Sequence, residues 1–376
     1  MITNFSEERW ATLEKNWTAW WNHDLQRPLL TANSRKQNPD RIRPQWWRNW
    51  WESIGKAPFE VSAEAVAEEC VKDFAECTPL GDAWPRVWLN FGPGSMAGYV
   101  GGEVEPLPET FWFYPGIWKD KPLREIKPEY LADNPWWLRV SGIMRACAER
   151  FGRDAQIGFS DFGGNMDVAA SLRETENLLY DLIDDPEGVD AFVENITDLW
   201  LRYYDEQYAI AGATGRGVAP WAPLWSPKRT YMLQSDFSYM ISPAQFERWV
   251  LPDLQKCCRH MEHAFYHLDG KGELPHLDLL LSIPELRGIQ WIPGDGQPVC
   301  TSPEWRWLFE RVRASGKLMQ QFAPVKDILA LAKEFPLDGF IFETYDNNET
   351  VAAGLDAIWK EAESFRKKQN PLVTVI

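Results

Sequence analysis

Hydrophobic and polar positions divide the chain near residue 85. In SEERWATLEKNWTAWWN (6–22), Trp10, Leu13, Trp17, Trp20 and Trp21 recur at three- and four-residue spacing, which predicts an amphipathic helix opened by a weak Ser6 cap. RPLL ends that helix, and PQWWRNWW (44–51) sets four more tryptophans beside Arg48. No strand pattern stands out before residue 85, so residues 1–85 are expected to form a Trp-rich helical extension. It would cover one end of the next domain or mediate homodimerisation through exposed tryptophan.

From 86 to 376, short apolar runs alternate with helical patterns. RVWLNF (86–91), QIGFSDF (156–162), APLWS (222–226), AFYHLDG (264–270), GIQWIPG (288–294), KLMQQF (317–322) and GFIFETY (339–345) have strand length. Helical periodicity fills 275–283, 303–315, 325–334 and 348–368. Strands apolar on both faces and separated by helices predict a parallel sheet buried on both sides. Repeated right-handed βα units then predict an α/β fold, a (β/α)8 TIM barrel, over 86–376. A doubly wound open sheet is the alternative, but no G-x-G-x-x-G follows any of these runs.

Polarity gathers at the C-terminal ends of the runs: Asp161, Trp225 with Ser226, His267 and Asp269, Gln290 followed by Trp291, Gln320, and Glu343 with Tyr345. A parallel barrel delivers such ends to one face, where enzymes on this fold hold their catalytic groups. His267 and Asp269 flank Leu268 and so point to one side of an extended strand. The pair could ligate a metal, move a proton or orient a substrate; a core histidine satisfied by a carboxylate would leave the same pattern. Asp161 ends its run shortly before Gly163 and Gly164, so its carboxylate is expected to lie exposed in the mouth with the backbone close to a ligand. Asp236, in QSDFSYMISP, reads as a site carboxylate or as a local Asx turn. His260 and His263 are expected at the end of a helix over 243–262, meeting terminal carbonyls rather than a metal. No Ser/His/Asp or Cys/His nucleophile arrangement and no CxxC pair is evident.

Composition narrows the class. A net charge of -16 disfavours nucleic acid and anionic lipid as partners, and no apolar stretch is long enough to span a bilayer. MITNFSEERW has neither a basic leader nor an apolar segment, and the six cysteines are scattered. Both features point to a reducing, cytoplasmic setting. Tryptophan, 22 of 376 residues, offers flat faces for stacking on large ligands, although core packing is its commoner use.

Several strings resemble the uroporphyrinogen decarboxylase superfamily. NFGPGSMAGYVGGE (90–103) is similar to its glycine-rich element, and IGFSDFGGNMDVAASLR with LLYDLIDDPEGVDAFVENIT (157–197) to the next block. SDFSYMISPAQFERWVLPDLQK (235–256) is similar to a segment in which Asp precedes Ser-Pro and a helix. YHLDG (266–270) lies where the related cobamide-dependent methyltransferases carry a His-x-Cys-Gly zinc motif. The resemblance covers roughly 85–365. It implies a (β/α)8 barrel whose mouth accepts a tetrapyrrole, a corrinoid-borne methyl group or a small methylated compound. With Asp269 in place of the first cysteine, it implies an oxygen-rich site for zinc or another divalent metal on His267, Asp269 and Glu343.

Three functions are open on these grounds. In a methyltransferase of this superfamily, His267, Asp269 and Glu343 would form a metal or acid–base centre, with Asp161 as a further catalytic or positioning carboxylate. Asp236, Gln290, Trp225, Trp291 and Tyr345 would hold a small-molecule substrate, and a corrinoid, free or on a partner protein, would carry the methyl group. In a cofactor-free decarboxylase, Asp161 or Asp236 would stabilise a protonated ring while Arg41, Arg43 and Arg48 grip carboxylates. A carbohydrate-active or ligand-binding barrel would use the tryptophans and a facing carboxylate pair.

Overall fold

The computed structural model describes residues 2–36, 38–344 and 348–369. Its strands are β1 (Leu29–Arg35), β2 (Cys77–Gly81), β3 (Arg86–Val87), β4 (Glu103–Pro106), β5 (Phe111–Tyr114), β6 (Gln156–Ile157), β7 (Thr230–Leu233), β8 (His263–Asp269), β9 (Leu286–Ile292), β10 (Leu318–Phe322) and β11 (Phe340–Glu343). Seven of them form one sheet in the order β2-β1-β11-β10-β9-β8-β7. All neighbours in it pair parallel except β1 with β2. β3 and β6 make a separate parallel pair, prolonged by Gly158 N–H to Val87 O (2.8 Å) and Phe159 N–H to Ala219 O (3.1 Å). β4 and β5 form a hairpin. Helices connect the parallel strands, so the architecture is α/β; among the described residues no continuous ladder joins the β3–β6 pair to the larger sheet.

Two expectations are corrected. Residues 1–85 are not strandless: β1 lies inside the main sheet against β11, and a boundary at 85/86 cuts through that sheet. LLTANSR was hidden because half of it is polar and its partner lies some 310 residues away, beyond any local signal. APLWS is not a strand either. Ser226 makes one isolated bridge to Val218, and the strand is the following TYML.

Alternation along the strands splits the buried apolar residues into two clusters. Leu29, Met232, Phe265, Leu318 and Ile341 share one cluster with Trp10, Trp17, Trp20, Trp21 and Trp225. Their strand neighbours Leu30, Tyr231, Leu233, Tyr266, Ile289 and Phe342 belong to the other, which packs on the surrounding helices. Gly288 permits this on β9, since a Cβ there would meet the Phe265 ring at 2.1 Å.

The expected N-terminal helix is present as α1 (Glu7–Trp21), with Ser6 accepting from Arg9 N. Its tryptophans are buried against the starts of the strands: Trp20 Nε1 donates to Phe340 O (3.2 Å) and Trp21 Nε1 to Trp225 O (2.9 Å). These four are packed inside the chain, whereas Trp51 of the 44–51 run stays 49% exposed. Among the described residues no helix is long and apolar enough to cross a membrane.

Candidate functional site

At the C-terminal end of β8, on the same sheet face as Phe265, stand His267 and Asp269. Gly270, at φ 80°, turns the chain away immediately afterwards. His267 Nε2 lies 3.9 Å from Asp269 Oδ2. Asp236, in the turn after β7, completes a group whose donor atoms all fall within 4.8 Å of one another.

A side-chain relay orients the imidazole. The register places Gln290 beside His267 and Gln320 beside Gln290. Gln320 Nε2 donates to Pro223 O (3.4 Å), which turns its Oε1 toward Gln290 Nε2 (3.0 Å). Gln290 Oε1 therefore faces His267 Nδ1, which must carry the proton, and the Nε2 lone pair is left pointing toward the carboxylates. Burial holds the His267 pKa below its usual value, opposed by Asp269 and Gln290, so the ring is neutral. The Trp221 ring meets it edge-on at 5.3 Å.

Further carboxylates surround this group. Asp167, at the first turn of the helix Asn165–Arg173, accepts from Gly164 N (3.0 Å), Asp236 N (3.1 Å) and Phe237 N (2.7 Å). Burial, with repulsion from Asp236, still pushes its pKa up to about 7. Asp236 has its surface open to a cavity, yet the protein around it withholds enough water to raise its pKa to about 6, Asp269 adding repulsion. Asp161 is buried rather than exposed as expected, because its carboxylate turns back to accept from Gly163 N (2.9 Å), and that burial raises its pKa well above the carboxylate range. Glu273, 1% exposed, behaves likewise; Oε2 accepts from Tyr266 Oη (3.4 Å) and Asp269 N (3.3 Å), and Oε1 has no partner among the described residues. Among the described residues no lysine or arginine pairs with any of these five acids.

Asp236 and Asp167 also line a cavity of about 450 Å³ walled by Phe111, Trp112, Phe113 and Phe237. Gln234, almost fully buried, lines it with an unpartnered Oε1. Glycines make this wall possible. A Cβ on Gly163 would strike Gly94 Cα at 2.7 Å, and one on Gly164 would strike Gln234 O at 2.1 Å.

The structure brings His267, Asp269 and Asp236 together, with Asp161 close enough to feel Asp236, and Gln290 behind His267 rather than facing the cavity. It does not bring Glu343 into the group. Glu343 ends β11 at the same end of the sheet, but β9 and β10 intervene, roughly 14 Å of strand spacing. Asp236 takes the place expected for it. Trp225 is at the opposite end, buried among the α1 tryptophans, and is no wall of the site. Trp291 is also excluded: adjacent strand residues face opposite ways, so with Gln290 inward it points out to Trp305, ring centroids 5.1 Å apart. Tyr345 lies outside the described residues.

His263 opens β8 instead of closing a helix; it stacks on Trp21 at 4.1 Å, and burial drives its pKa to about 3. Arg41 and Arg43 are spent on Glu69, Asp73 and Glu76, and Arg48 reaches Glu52 at the surface, so the basic cluster a decarboxylase would need is absent from the cavity. Asp167 and Glu273 were not evident from sequence. GGNMD reads as a helix cap, and Glu273 sits in a turn after HLDG with no periodicity to mark it.

No protein-family model matches the chain, and no curated protein matches it. Among solved structures, a methyltransferase from Methanosarcina mazei superposes with a TM-score of 0.58 over 95% of this chain and 98% of that one, at 13% sequence identity. At that identity the likeness is one of α/β fold.

Proposed function

We propose that the chain is a cytoplasmic methyltransferase-like enzyme on a closed (β/α)8 barrel, with zinc or another divalent metal on Asp236, His267 and Asp269. The strict inside–outside division of the strand residues and the neighbouring fold support the barrel. The observation that carries the site is the His267 Nε2 lone pair, held by the Gln290–Gln320 relay toward two carboxylates.

The donor set fits such an ion. One imidazole and two carboxylates suit zinc or manganese, and tetrahedral bonds of about 2.1 Å need donors roughly 3.4 Å apart, a contraction that side-chain rotation can supply. Bound there, a divalent ion would supply Lewis acidity to a thiol or hydroxyl of the substrate. Gln290 would keep the His267 tautomer fixed. Asp167, whose pKa is near 7, would take up the released proton through Asp236, and Phe111, Phe113 and Phe237 would keep water from the transferred methyl group. The 450 Å³ cavity suits a small methylated substrate and is too small for a corrinoid, which would meet the mouth from outside on a partner protein.

Elemental analysis of the purified protein and of His267→Ala tests the centre. One equivalent of divalent metal in the parent and none in the variant is expected, with consumption of methylcobalamin in the presence of a thiol lost alongside. A parent protein that neither holds nor binds zinc, cobalt or manganese would falsify the proposal.

A further inference from the structure

A second cavity, of about 330 Å³, opens between β1, the end of β11 and the Trp-rich segment; its lining includes Trp50, Trp51, Trp84, Arg86, Pro223 and Glu343. None of its lining residues lines the cavity beside Asp236.

Its two charged poles are both incomplete. Arg86 Nη1 donates to the carbonyls of Pro220, Trp221 and Ala222, each at 3.0 Å, which fixes the plane of the guanidinium. Nε and Nη2 make no hydrogen bond, and Arg86 forms no ion pair among the described residues. Burial depresses its pKa to about 10, with Glu343 the one charge that opposes the shift. Across the cavity, the half-buried Glu343 carboxyl has no hydrogen-bond partner among the described residues, and burial lifts its pKa to about 7. Arg86 thus braces the 220–222 turn with Nη1 alone while also lining the cavity. A half-desolvated cation and carboxyl left unpaired are costly unless a ligand completes them. The walls are flat and apolar: Trp84 is anchored by Nε1 to Gln156 Oε1 (2.6 Å), and Trp51, 49% exposed, leans edge-on against Trp88 at 4.6 Å.

We propose that this cavity binds a small organic anion with a flat apolar body, its acid group on the free edge of Arg86, its body against Trp51 and Trp84, and a hydroxyl donor on Glu343. A planar guanidinium already held on one side loses little freedom on gripping a carboxylate with the other. The site stands apart from the metal centre, so either can fail alone.

Calorimetric titration of the full chain with 4-hydroxybenzoate, benzoate and 4-hydroxybenzamide tests this. The hydroxy acid is expected to bind several-fold tighter than benzoate and at least tenfold tighter than the amide. Arg86→Gln should cost tenfold or more. Glu343→Gln should abolish the preference for the hydroxyl while leaving benzoate binding in place, and Trp51→Ala should weaken both acids three- to tenfold. If Arg86→Gln does not fold, the other two variants decide the matter: Glu343 has no side-chain partner among the described residues, and Trp51 is half exposed. Equal binding of acid and amide, acid binding unchanged in the variants, or no acid binding at millimolar concentration overturns the proposal. Metal content measured on the same samples reports separately on the Asp236 centre.

Discussion

Where the strands begin, α1 presses Trp17, Trp20 and Trp21 against Leu29, Phe265 and Leu318, and each of those three indole N–H groups finds a backbone carbonyl. Where they end, Asp161, Asp167, Asp236, Asp269 and Glu273 crowd around a neutral His267, with no lysine or arginine paired to them among the described residues. The first end is nearly complete as it stands: apolar area is buried and, Trp10 Nε1 apart, the indole N–H groups are paired. The second is complete only with protons or a cation bound. Stability and function have therefore been placed at opposite ends of the same strands, and substitutions should separate them.

The largest effect is expected at the dry end. Trp21 is fully buried, stacks on His263 and donates to Trp225 O. Trp21→Ala should cost about 3–5 kcal/mol, read by denaturant unfolding. Folded material that survives should still bind one divalent ion. If metal binding falls in proportion to ring size across Trp21→Phe and Trp21→Ala while stability holds, the two ends are coupled and the separation is wrong.

Gln290→Leu probes the wet end without touching a ligand atom. It frees His267 to adopt the other tautomer and leaves Gln320 without its partner. Metal affinity should fall about 10–100-fold, as such supporting residues usually cost, with a Tm change of only a few degrees. An affinity within twofold of the parent would show that the relay is packing alone.

Acid–base linkage sharpens the contrast, since the ends titrate in opposite senses. Asp236 is raised from 3.8 to about 6, so the folded state holds its proton more tightly than the unfolded chain. Its contribution to stability is full below about pH 4 and is lost as pH rises through 6. His263 is lowered from 6.5 to about 3, so its contribution is present above about pH 6.5 and is lost as pH falls toward 3. In metal-free protein, Asp236→Asn should flatten the decline between pH 4 and 6 and raise Tm at pH 8 by roughly 1–3 °C. Added zinc should reverse that order by stabilising the parent alone. A parent whose metal-free Tm rises between pH 4 and 6 as steeply as that of Asp236→Asn contradicts the assignment.

What could be read from the sequence follows the range over which each signal acts. β8 to β11 were visible because each carries its own apolar run, and His267 with Asp269 because a two-residue spacing fixes a shared face. β1 and β7 were not, since LLTANSR and TYML acquire strand character only from partners elsewhere in the chain. The third member of the cluster shows the same limit. Glu343 and Asp236 are both acids near strand ends, and only the order of strands around the sheet decides which one stands beside β8. Trp225 misled because its run resembles a strand, which placed it at the wrong end.

The smallest expected effect tests face assignment, on which the contrast between inside and outside depends. Gln290 and Trp291 are neighbours on β9, so they cannot both face the site. Trp291 is fully buried on Trp305, and its Nε1 has no partner among the described residues. Trp291→Phe removes ring volume, which costs, and an unpaired buried N–H, which relieves part of that cost. The net loss should be about 1 kcal/mol in chemical denaturation, with metal affinity and 4-hydroxybenzoate binding within twofold of the parent. A change of tenfold in either would put Trp291 in the mouth, Gln290 among the helices, and the relay behind His267 on the wrong side of the sheet.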